Sequence, residues 1–316
     1  MGSPSKYQEL HTLVESGKIE DRISRLPDGI LFHILSFLST KYAVGTSVLS
    51  TRWKYLWTFT PNLEFDDTML FTTEESNEHT IEMCFMNFVD RVLNLHNMSY
   101  ITKFSLNCCR DYDLSIVEAW LSTAIKKNVQ ELNLLLFRNS PIDLPRSLYT
   151  CDSLKVLKLT QDITFDVPSD AHLPNLRVVH LKSVLFHDGN STQRLISGCP
   201  VLEDLVIDKS GIDDIEVFNI CSPTLKSLTI SCCLENLKDD CKCTFLVEAP
   251  ALEYFELEDI ELNQYSLTNL CSLVKAKVDV LFGGERAFEI LQGIFMVKCL
   301  SLSYFMVQVS ILFSSW

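Results

Sequence analysis

Residues 154–159 read "LKVLKL", and this pattern of six decides how most of the chain folds. A leading leucine is followed by two more at a spacing of two, the alternation of a strand buried on one face. With apolar substitutes allowed, the pattern recurs as ITKFSL (101), VQELNL (129), LRVVHL (176) and LEDLVI (202). It continues as LKSLTI (225), LEYFEL (252), LVKAKV (273) and VKCLSL (297), with successive starts 21 to 28 residues apart. One chemistry returning at a near-constant interval is an internal repeat.

The interval is that of leucine-rich repeats. A single such strand cannot hide its leucines, so successive turns must stack and share one continuous core. Between strands the chain travels back through a helix or a looser crossover. "SIVEAWLSTAIKKN" (115–128) reads as one such helix, with Ile116, Trp120, Ala124 and Ile125 on an apolar stripe. The expected fold over 101–296 is therefore an α/β solenoid, a horseshoe with parallel strands on its concave face. Positions between the leucines point outward onto that face. They place Lys158, His180, Lys182, Asp204, Asp208, Tyr254, Glu256 and Glu258 there as candidates for binding a target protein. Acidic residues gather at the fifth and seventh repeats, with basic ones on either side. Tyr254 amid carboxylates is the first candidate hot spot, since aromatics dominate binding energetics.

Composition narrows the function. At 316 residues, 47% hydrophobic and 22% charged, the chain can bury a sizeable core. A formal charge of −14 argues against a nucleic-acid surface, which needs clustered Lys and Arg. Glu9, Glu15 and Glu20 interrupt the first twenty residues, so no signal peptide is expected, and the compartment expected is nucleus or cytosol. The stretch from Cys299 to Trp316 is uncharged, yet Val307, Val309 and Ile311 alternate with Gln308 and Ser310. That period of two favours a strand over a membrane span.

Twelve irregularly spaced cysteines in a long chain read as reduced thiols. Cys109 and Cys233 sit where the repeat pattern permits Asn or Cys, and Cys151, Cys199, Cys221 and Cys271 precede repeat starts, as small buried thiols packing a turn. Cys232, Cys233, Cys241 and Cys243 lack the paired Cys-x-x-Cys knuckles of structural zinc, so no metal site is expected. There is no H-E-x-x-H, G-x-S-x-G or phosphate-binding loop, and neither a catalytic residue nor a cofactor is expected.

The N-terminal segment "LPDGILFHILSFLSTKYAVGTSVLSTRWKYLW" (26–57) poses a different question. Pro27 and Asp28 suit a helix start, and Ile30, Leu31, Ile34, Leu35 and Leu38 recur at helical spacing. Thr40 reads as the cap of a second helix carrying Val44 and Val48, and Ser50 as the cap of a third with Trp53, Leu56 and Trp57. Three helices of this length cannot bury so many apolar side chains internally. The remainder packs on the repeats or accepts another protein, and composition leaves both open.

Residues 22–57 resemble an F-box, specifically that of the plant family of F-box, leucine-rich-repeat and FBD proteins. "LPRSLYTCDSLKVLKL" (144–159), "LPNLRVVHLKSVLF" (173–186), "LISGCPVLEDLVI" (195–207) and "APALEYFELED" (249–259) resemble the same family's repeats. The resemblance implies the substrate receptor of an SCF-type ubiquitin ligase, a non-catalytic subunit. Its F-box would dock on the adaptor protein and through it reach the cullin and RING subunits. Leu26 and Pro27 would enter the adaptor's groove. Ile30, Leu31, Ile34, Leu35, Val48, Leu49 and Trp53 would supply either the fold or the apolar contact. Gly29 stands where the family usually has Glu, and Ser39 where Pro is common.

The implied organisation is a tail (1–20), an F-box (21–66), a connector with a helix at about 78–95 (67–100), repeats (101–296) and the start of a truncated FBD region (297–316). Such an end would leave an apolar edge on the solenoid. The alternatives are an interaction scaffold outside any ligase, a thiol-dependent hydrolase, and a non-functional truncated family member.

Overall fold

The computed structural model describes residues 23–69, 78–209, 215–232, 243–260, 263–280 and 285–303. The chain divides between Thr60 and Pro61 into two compact units.

In the first unit, the helix Asp28–Leu35 starts after Pro27, whose φ of −55° already suits the turn. Arg52 fixes this start, donating to the Leu26 carbonyl at 2.6 Å and pairing with Asp28 at 2.6 Å. A second helix, Thr40–Gly45, tightens into a 3-10 turn at Thr46–Val48, where the Thr46 hydroxyl donates to the Ala43 carbonyl. The third element, Trp53–Phe59, is 3-10 rather than α-helical. Two expected caps move as a result. Ser39, not Thr40, precedes the second helix, and Arg52, not Ser50, precedes the third.

The second unit is built on parallel strands. Its chain runs through β1 (Asn62–Asp66), β2 (Lys103–Cys108), β3 (Glu131–Leu136) and β4 (Ile142–Asp143). It continues through β5 (Val156–Gln161), β6 (Ile163–Phe165), β7 (Val178–Lys182) and β8 (Leu185–Phe186). Then come β9 (Asp204–Asp208), β10 (Val217–Cys221), β11 (Ser227–Cys232) and β12 (Thr244–Glu248). The last are β13 (Tyr254–Asp259), β14 (Gln264–Thr268), β15 (Lys275–Val280) and β16 (Cys299–Leu302).

Ten of these form one sheet in the order β1-β2-β3-β5-β7-β9-β11-β13-β15-β16. Every repeat found in the sequence supplies one strand, which begins two residues after the pattern does. Two ladders of buried side chains cross the sheet in register, Phe104–Leu132–Leu157–Val179–Leu205 and Leu106–Leu134–Leu159–Leu181–Ile207, and continue beyond. The leading residues of the first eight patterns form a third buried row, from Ile101 through Leu154 to Leu273. Each repeat thus closes the core of its neighbour, as stacking requires.

The return paths differ from one another. The helix Leu114–Lys126 is capped by Asp113, whose carboxylate accepts from the Ser115 amide at 2.8 Å. Its buried stripe is Val117, Trp120, Leu121 and Ala124, so Val117 and Leu121 replace the expected Ile116 and Ile125. The helix Glu78–Leu95 packs beside it, where Phe85 meets Trp120 edge-on at 5.9 Å and Trp120 donates its indole N–H to Asp90 at 2.7 Å. Shorter helices return at Ser191–Gly198 and Glu285–Gly293.

Elsewhere the return is extended. The crossovers form two small parallel sheets of their own, β4-β6-β8 and β10-β12-β14. An aromatic row links them: Phe165–Phe186–Phe218–Phe245–Tyr265, with successive ring centroids 4.9 to 5.5 Å apart. Such pairs add to plain area burial.

The first strand, β1, carries no copy of the repeat pattern, yet pairs with β2 in register. Just past it, the fully buried Asp67 accepts from the amides of Cys109 and Arg110 and from the Tyr112 hydroxyl, at 3.0 to 3.1 Å. This carboxylate ties the β1 exit to the β2 exit. At the far end Phe295, Met296 and Leu300 are exposed. The expected C-terminal strand at 307–311 lies outside the described residues.

Candidate functional site

Two surfaces carry the residues singled out from the sequence. The first belongs to the N-terminal unit, where the structure sorts the helical-period residues by direction. Leu31 and Leu35 are fully buried and Trp53 nearly so, with the Trp53 indole donating to Ser24 at 2.9 Å. These hold the unit together. Ile30, Ile34 and Leu38 point outward from the same helix region, and Val48 and Leu49 are 87% and 63% exposed. Pro27 is exposed and Leu26 half-buried. Phe37, at 76% exposure, joins this apolar face although the sequence reading had not singled it out. His33, edge-on to Phe37 at 4.8 Å, is exposed beside it.

These outward aliphatic and aromatic side chains form an exposed apolar patch on short helices, and patches of that kind on other proteins mark sites of contact with partners. Ser39 adopts a φ of −61°, the value proline imposes, so the helix corner keeps its geometry without proline. Gly29 has open space where a Cβ would stand, and the family's larger residue would fit there.

The second surface is the outer face of the main sheet. The register places Lys158 beside His180, Lys182 beside Asp208, and Glu258 beside Asp279. His180 Nε2 lies 3.2 Å from Asp204 Oδ2. That contact, with a further one from Ser227, holds the Asp204 carboxyl below the usual aspartate range. Two strands on, Glu256 accepts from Lys277 at 2.6 Å and from the Tyr254 hydroxyl at 2.7 Å. Lys277 first and Tyr254 second keep Glu256 below the usual carboxylate range, while Glu256 raises the Tyr254 phenol. The Lys275 ammonium stands 5.5 Å from the Tyr254 ring centroid. Tyr254 is therefore a fixed aromatic with its hydroxyl committed. The His180–Asp204 and Lys277–Glu256 contacts join residues 24 and 21 positions apart on neighbouring strands, which no local pattern reveals.

Burial pushes Cys199 up to about 12, and burial together with Asp67 pushes up Cys109, so none of these is poised as a thiolate. Of the expected turn-packing thiols, Cys151 and Cys199 are buried but Cys109, Cys221 and Cys271 are exposed; Cys232 and Cys243 are buried as well. Cys221 ends β10 at an outward position of its alternation. Cys243 donates to Asn263 rather than to a metal-like cluster, and Cys233 and Cys241 lie outside the described residues. Among the described residues no helix is long and apolar enough to cross a membrane.

Comparisons with known proteins agree with this division of the chain. The family model for the F-box domain matches residues 23–64. The model described as "FBD-associated F-box protein At5g56370, LRR repeats" matches residues 117–278. The F-box/LRR-repeat protein At4g14103 of Arabidopsis thaliana is 40% identical over 263 residues, 82% of this chain and 68% of its own length. The putative FBD-associated F-box protein At5g56440 of the same plant is 36% identical over 273 residues, 85% of this chain and 61% of its own. The putative F-box/FBD/LRR-repeat protein At3g59240 is 36% identical, and the match spans about half of its length, 51%. An N-terminal motif and a repeat array matched in the same order leave one conclusion: the chain belongs to the plant family of F-box/LRR-repeat proteins with FBD-associated repeats.

Proposed function

We propose that the chain is the substrate-recognition subunit of an SCF-type E3 ubiquitin ligase. The exposed apolar face of the N-terminal unit docks the adaptor, which brings the cullin and RING subunits, and the outer face of the sheet holds the target protein. Membership of the family supports this reading, since F-box/LRR proteins generally serve such ligases as non-catalytic receptors. The observation that carries it is the outward set Ile30, Ile34, Leu38, Val48 and Leu49, left open by helices that already bury Leu31, Leu35 and Trp53. Transfer of ubiquitin falls to other subunits. This chain contributes proximity, holding a target lysine within reach of a charged conjugating enzyme. The complex works in the nucleus or cytosol, without a cofactor.

Co-purification tests the reading. The double substitution Leu26→Ala and Pro27→Ala loses cullin while keeping target proteins captured by proximity labelling under proteasome inhibition. Wild-type cullin recovery by that variant would refute the docking surface. A chain that recovers neither cullin nor adaptor even in its native form would instead be a scaffold outside any ligase.

A further inference from the structure

The outer face of the sheet is neutralised unevenly. At one edge Lys103 pairs with Glu64 at 2.6 Å, and near the other Glu256 binds both Lys277 and Tyr254. Other charges between and beside these clusters make no such contact, Glu131 near Lys103 and the ring-facing Lys275 among them. Lys158 and Lys182 have no hydrogen bond or ion pair among the described residues, and neither do Glu258 and Asp279. The counter-charges that feel them are already committed. Asp204, near Lys158, is held by His180, and Lys277, near Glu258, is held by Glu256. Asp208, in register with Lys182, has an interaction of its own. Glu258 and Asp279 stand directly opposite each other on β13 and β15, a like-charge pairing that a sheet tolerates at some cost. Among these uncommitted side chains the face offers cations at β5–β7 and anions at β13–β15; between the two lie Asp204, Val206 and Asp208 on β9 and Ser227, Thr229 and Ser231 on β11, while Lys275 on β15 is turned over the Tyr254 ring.

We propose that this face selects an extended target segment of split polarity, lying across the strands. Its Asp or Glu side chains meet Lys158 and Lys182, and its Lys or Arg side chains meet Glu258 and Asp279. The inference rests on the sheet face being the target surface and names the chemistry it selects. Lys182 and Glu258 lie three strands apart in one register row, so the poles are separated by ~14 Å at the usual strand spacing. An extended segment covers that distance with about three residues between its acidic and basic blocks. Complementary potentials of this kind set partner choice and orientation more than raw affinity.

Fluorescence anisotropy on the purified full chain tests this, with three dye-labelled peptides: acidic block–neutral spacer–basic block, all-acidic, and all-basic. The native chain is expected to prefer the split peptide by about tenfold at low salt, the order that four exposed charge contacts provide. Glu258→Lys with Asp279→Lys turns the β13–β15 end basic and moves the preference to the all-acidic peptide. Adding Lys158→Glu and Lys182→Glu restores the split preference with the peptide reversed, a rescue that misfolding cannot imitate. Equal affinity for all three peptides, no binding of any, or a preference that ignores the substitutions would overturn the proposal. Adaptor binding by the same preparations reports separately on the N-terminal unit.

Discussion

Val48 and Leu49 permit a sharp test of what the N-terminal unit does, because they are so little used by the chain itself. Changing both to Ala removes two and three carbons from side chains that are 87% and 63% exposed. Their loss costs the isolated chain little, within ~0.5 kcal/mol each, as for other surface positions. A partner that covers them loses much more. At about 0.8 kcal/mol per buried CH2, scaled by the exposed fractions, the two truncations forfeit about 3 kcal/mol of binding. That is on the order of a hundredfold in Kd. Isothermal titration calorimetry against recombinant adaptor measures it, with thermal unfolding alongside. A change below threefold in Kd, in a variant of native stability, would refute the assignment of this face to the adaptor.

Other outcomes follow from the packing. Leu35→Ala, at a fully buried position, costs ~2–5 kcal/mol by denaturant unfolding and weakens adaptor binding only through unfolding. Gly29→Ala, in a helix and with open space at the Cβ, raises stability by about 0.5–1 kcal/mol; a loss would mean the helix start is strained. Asp67→Ala strands two amides and the Tyr112 hydroxyl, and costs ~3–5 kcal/mol in urea unfolding. Below the ordinary aspartate pKa of about 3.9, stability falls with pH as Asp204 takes a proton, because its folded pKa is depressed and its contribution exists only above that range. In His180→Ala, NMR titration finds the Asp204 pKa moved upward towards the ordinary value, and an unchanged pKa would show that His180 is not its partner.

The main sheet was legible because its signal repeats and alternates: three apolar positions per turn, buried in every repeat from 101 to 278 and only partly in the last. β1 was not, since "NLEFD" offers one short alternation and no leading leucine, and only pairing with β2 makes it a strand. The crossover strands escaped for a related reason. Several are only two or three residues long, and their aromatics stack on residues a full repeat away. In the N-terminal unit, helical spacing grouped Ile30 with Leu31 and Ile34 with Leu35, but short helices bury apolar residues on more than one side. Which of each pair faces inward is decided by where the neighbouring helices lie. On the sheet face, alternation identified the outward residues, and register alone decided which charges meet.

Hydroxyl-radical footprinting of the N-terminal unit, with and without adaptor, bears most directly on its role as a docking surface. Ile34, Phe37, Val48 and Leu49 should react freely in the chain alone and become protected when adaptor is added, with Leu31, Leu35 and Trp53 shielded in both states. Outward residues that are already shielded in the free chain, or that stay equally reactive after adaptor is added, would contradict the account.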